Sequence, residues 1–243
     1  MNRYEEVVRV LLGQSNVNPR WADEDGQTPL SRAVVNWHEG VMKILLERND
    51  VDPDAADIYD RTPLWWAAVR GHEGVVRVLL GQGKVNPQRT DEDGATPLSA
   101  TARNGHVGVV KILQEWNDID PNTVDKYYVT PLLWAAWGGH VGIMKILLER
   151  NDIDPNTIDK YYRTPLLWAS WGGFATVVRI LLEQSKINPQ GADDRGRIPL
   201  SWAAAKGHDG VVMMLLERND VDPGLADQAC RTPLSRLPPG LDM

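Results

Sequence analysis

Residues 62–80 read TPLWWAAVRGHEGVVRVLL, and this stretch contains the start and stop signals of two short helices. Thr62 can accept a backbone N–H at a helix start, and Pro63 sets φ at the first helical position. Gly71 allows a tight turn after that helix. The following EGVVRVLL places apolar residues at i, i+3 and i+4, which is typical of a second helix with one apolar stripe. The stretch therefore predicts a helix, a tight turn and another helix.

The same pattern recurs along the chain with a constant period of 34 residues and no insertion. Its Pro-Leu pairs stand at 29–30, 63–64, 97–98, 131–132, 165–166, 199–200 and 233–234. Such short helices are marginal alone, so neighbouring units must stack to cover their apolar stripes. We predict an all-α solenoid of helix-turn-helix units, joined by extended loops or short hairpins. Ile198 replaces the capping Thr in the sixth unit, so that helix start lacks a hydroxyl acceptor.

The repeat also predicts the organisation of the chain. We expect a partial repeat over 1–27, six full repeats over 28–231, and a partial repeat with a tail over 232–243. Residues 5–12 (EEVVRVLL) align with the second helix of a repeat, and no first helix precedes them. Pro238 and Pro239 are expected to interrupt the first helix of the final repeat. We therefore expect either a segment of a longer protein or end-to-end association with another copy.

Composition argues against several classes of function. A formal net charge of −7 argues against nucleic acid as a partner, because phosphate binding needs a basic face. The single cysteine, Cys230, excludes an internal disulfide framework and suits a reducing compartment, and we predict a cytoplasmic location. No apolar run approaches the roughly 18 residues of a membrane span, so we expect no membrane partner.

The histidines and aspartates are periodic, which favours structural roles. One repeat position holds His38, His72, His106, His140 and His208, and another holds Asp23, Asp57, Asp91, Asp125, Asp159, Asp193 and Asp227. Metal ligands must converge to about 2.0–2.2 Å from one ion, whereas residues one repeat apart lie on successive layers. There is no Gly-rich phosphate loop and no G-x-S-x-G elbow. We predict no catalytic residue, no metal site and no cofactor, and we expect that the protein is not an enzyme.

The repeated pattern D-x-x-G-x-T-P-L, then A-A-x-x-G-H and V-V-x-x-L-L, closely resembles the ankyrin repeat. Residues 91–98 (DEDGATPL) and 67–80 (AAVRGHEGVVRVLL) match it nearly position for position. The histidine that commonly follows T-P-L is replaced by Ser, Trp or Leu, and the period is 34 instead of the usual 33. The particular sequence of these repeats is similar to that of the C-terminal ankyrin arrays of filamentous-fungal STAND or NACHT-type receptors, in which such repeats sense ligands.

The turn glycine of the pattern is absent from four loops. Its position is taken by Asp60, Tyr128, Tyr162 and Cys230. Because these residues rarely adopt the left-handed conformation that glycine allows, we expect a different turn in those four loops.

The resemblance implies that a protein or peptide partner binds to the loop tips between Asp and Thr and to the two variable residues of A-A-x-x-G. At the tips the candidate residues are Tyr59, Lys126, Tyr127, Lys160, Tyr161, Arg163 and Arg195. On the first helices they are Arg70, Trp137 and Trp171. These positions vary along the chain while the frame of the repeat does not.

The tryptophans add an inference from helical spacing. Trp134 and Trp137 lie at i and i+3, as do Trp168 and Trp171, so each pair shares one face of a first helix. Stacking would place the two pairs side by side, and Trp66 and Trp202 occupy the position equivalent to Trp134. The result would be an aromatic strip along the concave surface, of the composition that dominates binding hot spots. Alternatively, Trp66, Trp134, Trp168 and Trp202 only fill space between successive first helices.

We predict a non-enzymatic scaffold that binds a protein or peptide through its concave face and loop tips. The similarity to fungal arrays suggests the narrower role of a ligand-sensing region in a larger receptor. The alternative is a structural spacer or self-assembly module, in which the stacking ends make the contacts. Substitutions on the concave face separate the two hypotheses, because a spacer would tolerate them.

Overall fold

A computed structural model describes residues 3–116 and 118–236, and the described part of the chain is helical without strands. The first helices of the repeated pairs are α2 (Pro29–Val35), α4 (Pro63–Val69), α6 (Pro97–Asn104), α8 (Pro131–Trp137), α10 (Pro165–Gly172) and α12 (Pro199–Lys206). The second helices are α3 (Glu39–Leu46), α5 (Glu73–Leu80), α7 (Val107–Gln114), α9 (Val141–Leu148), α11 (Ala175–Leu182) and α13 (Asp209–Leu216). Helix α1 (Arg3–Leu12) precedes the pairs, and a 3-10 helix, Leu234–Arg236, follows them. These elements confirm the predicted all-α fold.

The chain divides into two compact units, Met1–Asp120 and Pro121–Met243. In the first unit α4 packs against α2 and α6, and in the second unit α10 packs against α8 and α12. The second helices form another layer within each unit: α5 packs against α7 in the first unit, and α11 packs against α9 and α13 in the second. Pro238-Pro239, predicted to interrupt the last first helix, lies outside the described residues.

The core of each unit lies between its layers of first and second helices. In the second unit Leu166 of α10 and Val178 and Leu181 of α11 have no exposed surface. Every helix has ten residues or fewer, and none in the described ranges is long and apolar enough to cross a membrane.

Threonine hydroxyls cap the first helices as predicted, and the sixth repeat lacks this cap. In α10 the Thr164 Oγ1 atom accepts the N–H of Leu167 at 3.2 Å. In α12 the equivalent Ile198 is fully buried, and its side chain provides no capping hydrogen bond. The missing threonine also leaves the Ser201 hydroxyl without its usual partner, and this hydroxyl is buried without a hydrogen bond. Where threonine is present, as at Thr96, the hydroxyls of Thr and Ser lie 3.2 Å apart.

A histidine joins successive repeats. The Nε2 atom of His208 lies 3.0 Å from the carbonyl oxygen of Trp171, and that of His106 lies 2.9 Å from the carbonyl oxygen of Val69. Each imidazole covers the turn glycine of the preceding repeat, so that a Cβ added at Gly173 would lie 2.6 Å from His208 Nδ1. These contacts give both histidines a structural role, in line with their periodicity.

Restoring the missing cap should stabilise the protein. Ile198→Thr is expected to raise the free energy of unfolding by up to about 0.5 kcal/mol. The new hydroxyl contributes about 1 kcal/mol as a cap and about 1 kcal/mol as a partner for Ser201, against about 1.6 kcal/mol for the two buried carbons that threonine lacks. Chemical denaturation measures the change. In the control, Ser201→Ala costs stability only in the Ile198→Thr background, and equal effects in both backgrounds would contradict the pairing.

The close approach between repeats can be measured with two glycines of the same backbone conformation. Gly173 and Gly207 both have φ +69°. Substitution of either glycine by alanine therefore has the same conformational cost, about 1–2 kcal/mol, because a non-glycine residue is placed in the left-handed region. A Cβ at Gly207 would have nothing within 4 Å. Gly173→Ala should therefore lower the free energy of unfolding by about 1–3 kcal/mol more than Gly207→Ala, through overpacking against His208. Equal losses in urea denaturation would show that the imidazole moves aside freely.

Candidate functional site

The loop tips of the second unit are held by buried aspartates. The Asp159 Oδ1 atom accepts the N–H groups of Tyr161 and Arg163 at 2.8 and 3.0 Å, and its Oδ2 atom accepts Nε–H of Arg163 at 2.7 Å. Asp193 makes the same three bonds in the next repeat. The side chains of Asp159 and Asp193 are at most 1% exposed. Their carboxylates therefore serve the turn and are not available to a partner.

The last aspartate in this series shows the electrostatic effect of the turn. The backbone N–H of Arg231 and the Arg236 guanidinium hold the pKa of the Asp227 carboxyl well below its usual range, against the opposing effect of burial. The carboxylate therefore stays ionised across the physiological range, which suits a structural acceptor better than a proton-transfer group. Among the described residues, no cluster of three or more His, Cys, Asp or Glu side chains is placed to hold a metal ion.

The prediction of a different turn where glycine is absent is wrong. Tyr128 and Tyr162 have φ +61°, in the same left-handed region as Gly196 at +76°. The N–H of each tyrosine donates to the carbonyl of its aspartate at 2.9 Å, as the N–H of Gly196 does. Asp60 and Cys230 adopt this conformation too, at +59° and +58°. The aspartate bonds thus impose one turn on every tip, at a cost of about 1–2 kcal/mol for each non-glycine residue.

Tyr128 and Tyr162 are the residues that our prediction of the site missed. Their side chains are 62% and 59% exposed, so packing does not explain why a bulky residue is kept in an unfavourable backbone conformation. Strain of this kind is concentrated at functional positions. The sequence signal was present, since both tyrosines stand where the repeat prefers glycine.

Neighbouring tips of the second unit are in register. The N–H of Lys160 donates to the carbonyl of Tyr127, and the N–H of Asp194 to that of Tyr161, each at 3.0 Å. The Lys160 ammonium lies 4.4 Å from the centre of the Tyr127 ring and 4.9 Å from that of Tyr161. Lys126 contacts the Tyr127 ring at 5.2 Å. The tips therefore present alternating cations and aromatic rings, held by cation–π contacts.

The predicted tryptophan pairs form on α8 and α10. The rings of Trp134 and Trp137 meet edge to face with centroids 5.8 Å apart, and those of Trp168 and Trp171 at 5.7 Å. Trp137 is 40% exposed, whereas Trp171 is half-buried. The Lys206 ammonium lies 5.2 Å from the Trp171 ring.

The tryptophans at the equivalent of Trp134 have a structural hydrogen bond. In Trp134 and Trp202 the indole Nε1–H donates to the turn aspartate, at 3.1 and 3.2 Å, and Trp66 does the same in the first unit at 3.1 Å. All three are half-buried. In Trp66, Trp134 and Trp202 the indole therefore joins the first helix to its loop tip.

Arg163 links the tips of the second unit to the tryptophans. Its guanidinium lies 4.5 Å from the Tyr161 ring and 4.1 Å from the Trp168 ring. Tyr161, Arg163, Asp194, Arg195 and Arg197 line a shallow recess of about 380 Å³. We term the resulting patch the aromatic–cationic surface, which consists of Lys126, Tyr127, Tyr128, Trp134, Trp137, Lys160, Tyr161, Tyr162, Arg163, Trp168, Trp171, Arg195 and Lys206.

Of the predicted residues outside this surface, Tyr59, Trp66 and Arg70 lie together in the first unit, and Trp202 lies in the second unit, where the Arg197 guanidinium is 4.0 Å from its ring. The Arg61 guanidinium lies 4.3 Å from the Tyr59 ring and 4.4 Å from the Trp66 ring. The Arg70 guanidinium lies 5.9 Å from the Trp66 ring. The first unit thus carries a smaller cluster of the same chemistry.

Comparison with known proteins agrees with this architecture. A family model described as three copies of the ankyrin repeat matches residues 1–91, 83–159 and 151–227. Among solved structures, the crystal structure of the ankyrin repeat domain of Bcl-3, a unique member of the IkappaB protein family, is similar with a TM-score of 0.74 and 25% identity. The match covers 88% of this chain and 96% of that chain. A comparison with curated proteins found no match. The predicted ankyrin-repeat solenoid is confirmed, and the narrower resemblance to fungal receptor arrays stays a prediction.

The strain at the tips can be tested without a partner. Tyr162→Gly is expected to raise the free energy of unfolding by about 0.5–1 kcal/mol, because relief of about 1–2 kcal/mol of left-handed strain exceeds the extra entropy of glycine, about 0.5–1 kcal/mol. Tyr161→Gly, at the neighbouring position without a positive φ, should instead lower it. Denaturation in urea compares the two variants. If Tyr162→Gly destabilises as much as Tyr161→Gly, the exposed ring itself holds the turn.

Proposed function

Because the chain belongs to the ankyrin-repeat family, we propose that it is a non-enzymatic module that binds a protein or peptide partner on the aromatic–cationic surface. Ankyrin repeats are generally protein–protein interaction modules. The observation that carries the proposal is the exposure of several large aromatic side chains on one unit. Trp137, Tyr128, Tyr161 and Tyr162 are between 40% and 62% exposed.

Exposure of these rings has a physical cost that binding would recover. Burial of apolar surface contributes about 25 cal/mol for each Å² removed from water, and rings that stay exposed do not gain this stabilisation. Tryptophan, tyrosine and arginine are the residues on which binding energy concentrates. The described core is complete without these rings, since the buried apolar residues come from other positions of the repeat.

The surface is also held in place before any partner arrives. The tip between Asp159 and Arg163 is fixed by three hydrogen bonds to one carboxylate. The Arg163 guanidinium is fixed further between the rings of Tyr161 and Trp168. A pre-organised surface loses little side-chain entropy on binding, which raises affinity for a given contact area.

A second candidate function, end-to-end self-association, is favoured by helix α1. Val7, Val10 and Leu11 are between 50% and 61% exposed and lie on this helix at i, i+3 and i+4. This stripe belongs to the first unit, so substitutions on the aromatic–cationic surface would leave self-association unchanged. The two functions are therefore separable by mutation.

Truncation of the two outer tryptophans should weaken partner binding. Trp137→Ala and Trp171→Ala are each expected to cost about 2 kcal/mol or more of binding free energy, as hot-spot truncations do, while folding stays nearly intact. The test is affinity capture from the source organism with the intact chain, followed by titration of the purified partner against each variant.

Trp21→Ala provides the control, because Trp21 is 72% exposed and lies outside the aromatic–cationic surface. This variant should bind as the unchanged chain does. Unaltered affinity of the Trp137→Ala/Trp171→Ala double variant would overturn the proposal. A sharp fall in the unfolding midpoint of either single variant would instead show that the residue belongs to the core.

A further inference from the structure

Four of the five cations of the aromatic–cationic surface fall into two groups, and Arg197, which lines the recess at the edge of this surface, resembles the first group. Arg163 belongs to the first group, in which an aspartate of the same turn neutralises the charge; its Nε lies 2.7 Å from Asp159 Oδ2. Arg197 and Asp193 form the same pair at 2.7 Å. Because both carboxylates are buried, these pairs contribute little net charge to the surface.

The second group consists of Lys160, Arg195 and Lys206, which have no carboxylate partner among the described residues. Lys160 and Lys206 contact aromatic rings, at 4.4 to 5.2 Å. The Arg195 guanidinium makes neither an ion pair nor a hydrogen bond with any described residue, although it lines the recess beside Asp194. All three side chains belong to exposed residues. The second unit thus displays three uncompensated positive charges among exposed aromatic rings.

A net positive charge at the loop tips is specific to the second unit, where Asp194 is the one acidic residue at the positions equivalent to Lys126 and Tyr127, and it is not a property of the repeat. The positions of the first unit that are equivalent to Lys126 and Tyr127 in two of its repeats are acidic: Glu24, Asp25, Glu92 and Asp93. The frame of the repeat therefore tolerates either sign of charge at the tip. The chain as a whole has a formal net charge of −7. The basic tips are therefore a local region whose charge is opposite in sign to that of the whole chain.

We propose that the partner of this surface is an extended acidic peptide whose carboxylates pair with Lys160, Arg195 and Lys206 while its other side chains pack on the tyrosine and tryptophan rings. The inference rests on the proposed function and adds the chemistry of the partner. Charge complementarity of this kind selects the partner and speeds association. A nucleic acid fits less well, because the acidic chain would repel a long phosphate backbone beyond this patch.

The stacking of repeats also sets the spacing of the acidic residues. Packed helices lie about 8–10 Å apart, and a peptide in the extended polyproline II conformation advances about 3.1 Å per residue, with every third side chain on the same face. A peptide that runs along the tips in this conformation therefore advances about three residues per repeat. Acidic residues at every third position would meet successive tips.

The test uses three synthetic 12-residue peptides with Glu, Gln or Lys at every third position and the same Ser and Leu residues between them. Titrations of the full chain, followed by tryptophan fluorescence, give the affinities. The Glu peptide is expected to bind at least about tenfold more tightly than the Gln peptide. Its affinity is expected to fall about tenfold between low and high salt. The variant Lys160→Glu/Arg195→Glu should instead prefer the Lys peptide.

A charge-matched control separates the tips from the field of the whole molecule. Lys145→Glu/Arg179→Glu makes the same change in net charge on exposed positions of α9 and α11, and should leave the preference for Glu unchanged. If both double variants lose the same affinity for the Glu peptide, the inference is overturned. Equal affinity for the Glu and Gln peptides would also overturn it, although binding that Trp137→Ala still weakens would then preserve the proposed function. If single-stranded DNA binds and none of the peptides does, the partner class is wrong.

Discussion

The stacking of one helix pair on the next is the interaction on which the rest of this structure depends. Each helix has ten residues or fewer, which is marginal in water by itself. Leu166, Val178 and Leu181 are fully buried because α10 and α11 pack together and against neighbouring pairs. Within each unit, the same packing holds a loop tip in register with the next through one backbone hydrogen bond. A change that loosens stacking would therefore displace the tips as well as the core.

Stacking and turn formation use most of the polar groups that recur with the repeat. Asp159 and Asp193 bond to their own turns, and His106 and His208 bond to the carbonyl of the preceding repeat. Function is thereby left to the positions that vary. At Tyr128 and Tyr162 the variable residue even adopts a left-handed backbone conformation to keep a common turn. The frame dictates the backbone of the tip, and the side chain is free to serve a partner.

The candidate binding surface could be predicted only in part from the spacing of residues in the sequence. The i, i+3 rule correctly paired Trp134 with Trp137 and Trp168 with Trp171. It could not reveal that the indole of Trp134 donates to Asp125, because that bond spans a turn and depends on how the tip folds back on the helix. The same limit concealed Tyr128 and Tyr162. A sequence reports that glycine is missing, but not whether the turn changes or the new residue accepts the strain.

The amino-acid sequence by itself determined the period, the two-helix unit, the capping threonines and the all-α class, since these follow from residue types at fixed local spacing. Only the tertiary structure decided which charges are compensated. Arg163 and Arg197 are neutralised by buried aspartates, whereas Lys160, Arg195 and Lys206 have no such partner among the described residues. The physical reason is that pairing depends on distances of a few ångströms between side chains. Those distances are fixed by the fold of the turn and by the stacking of repeats.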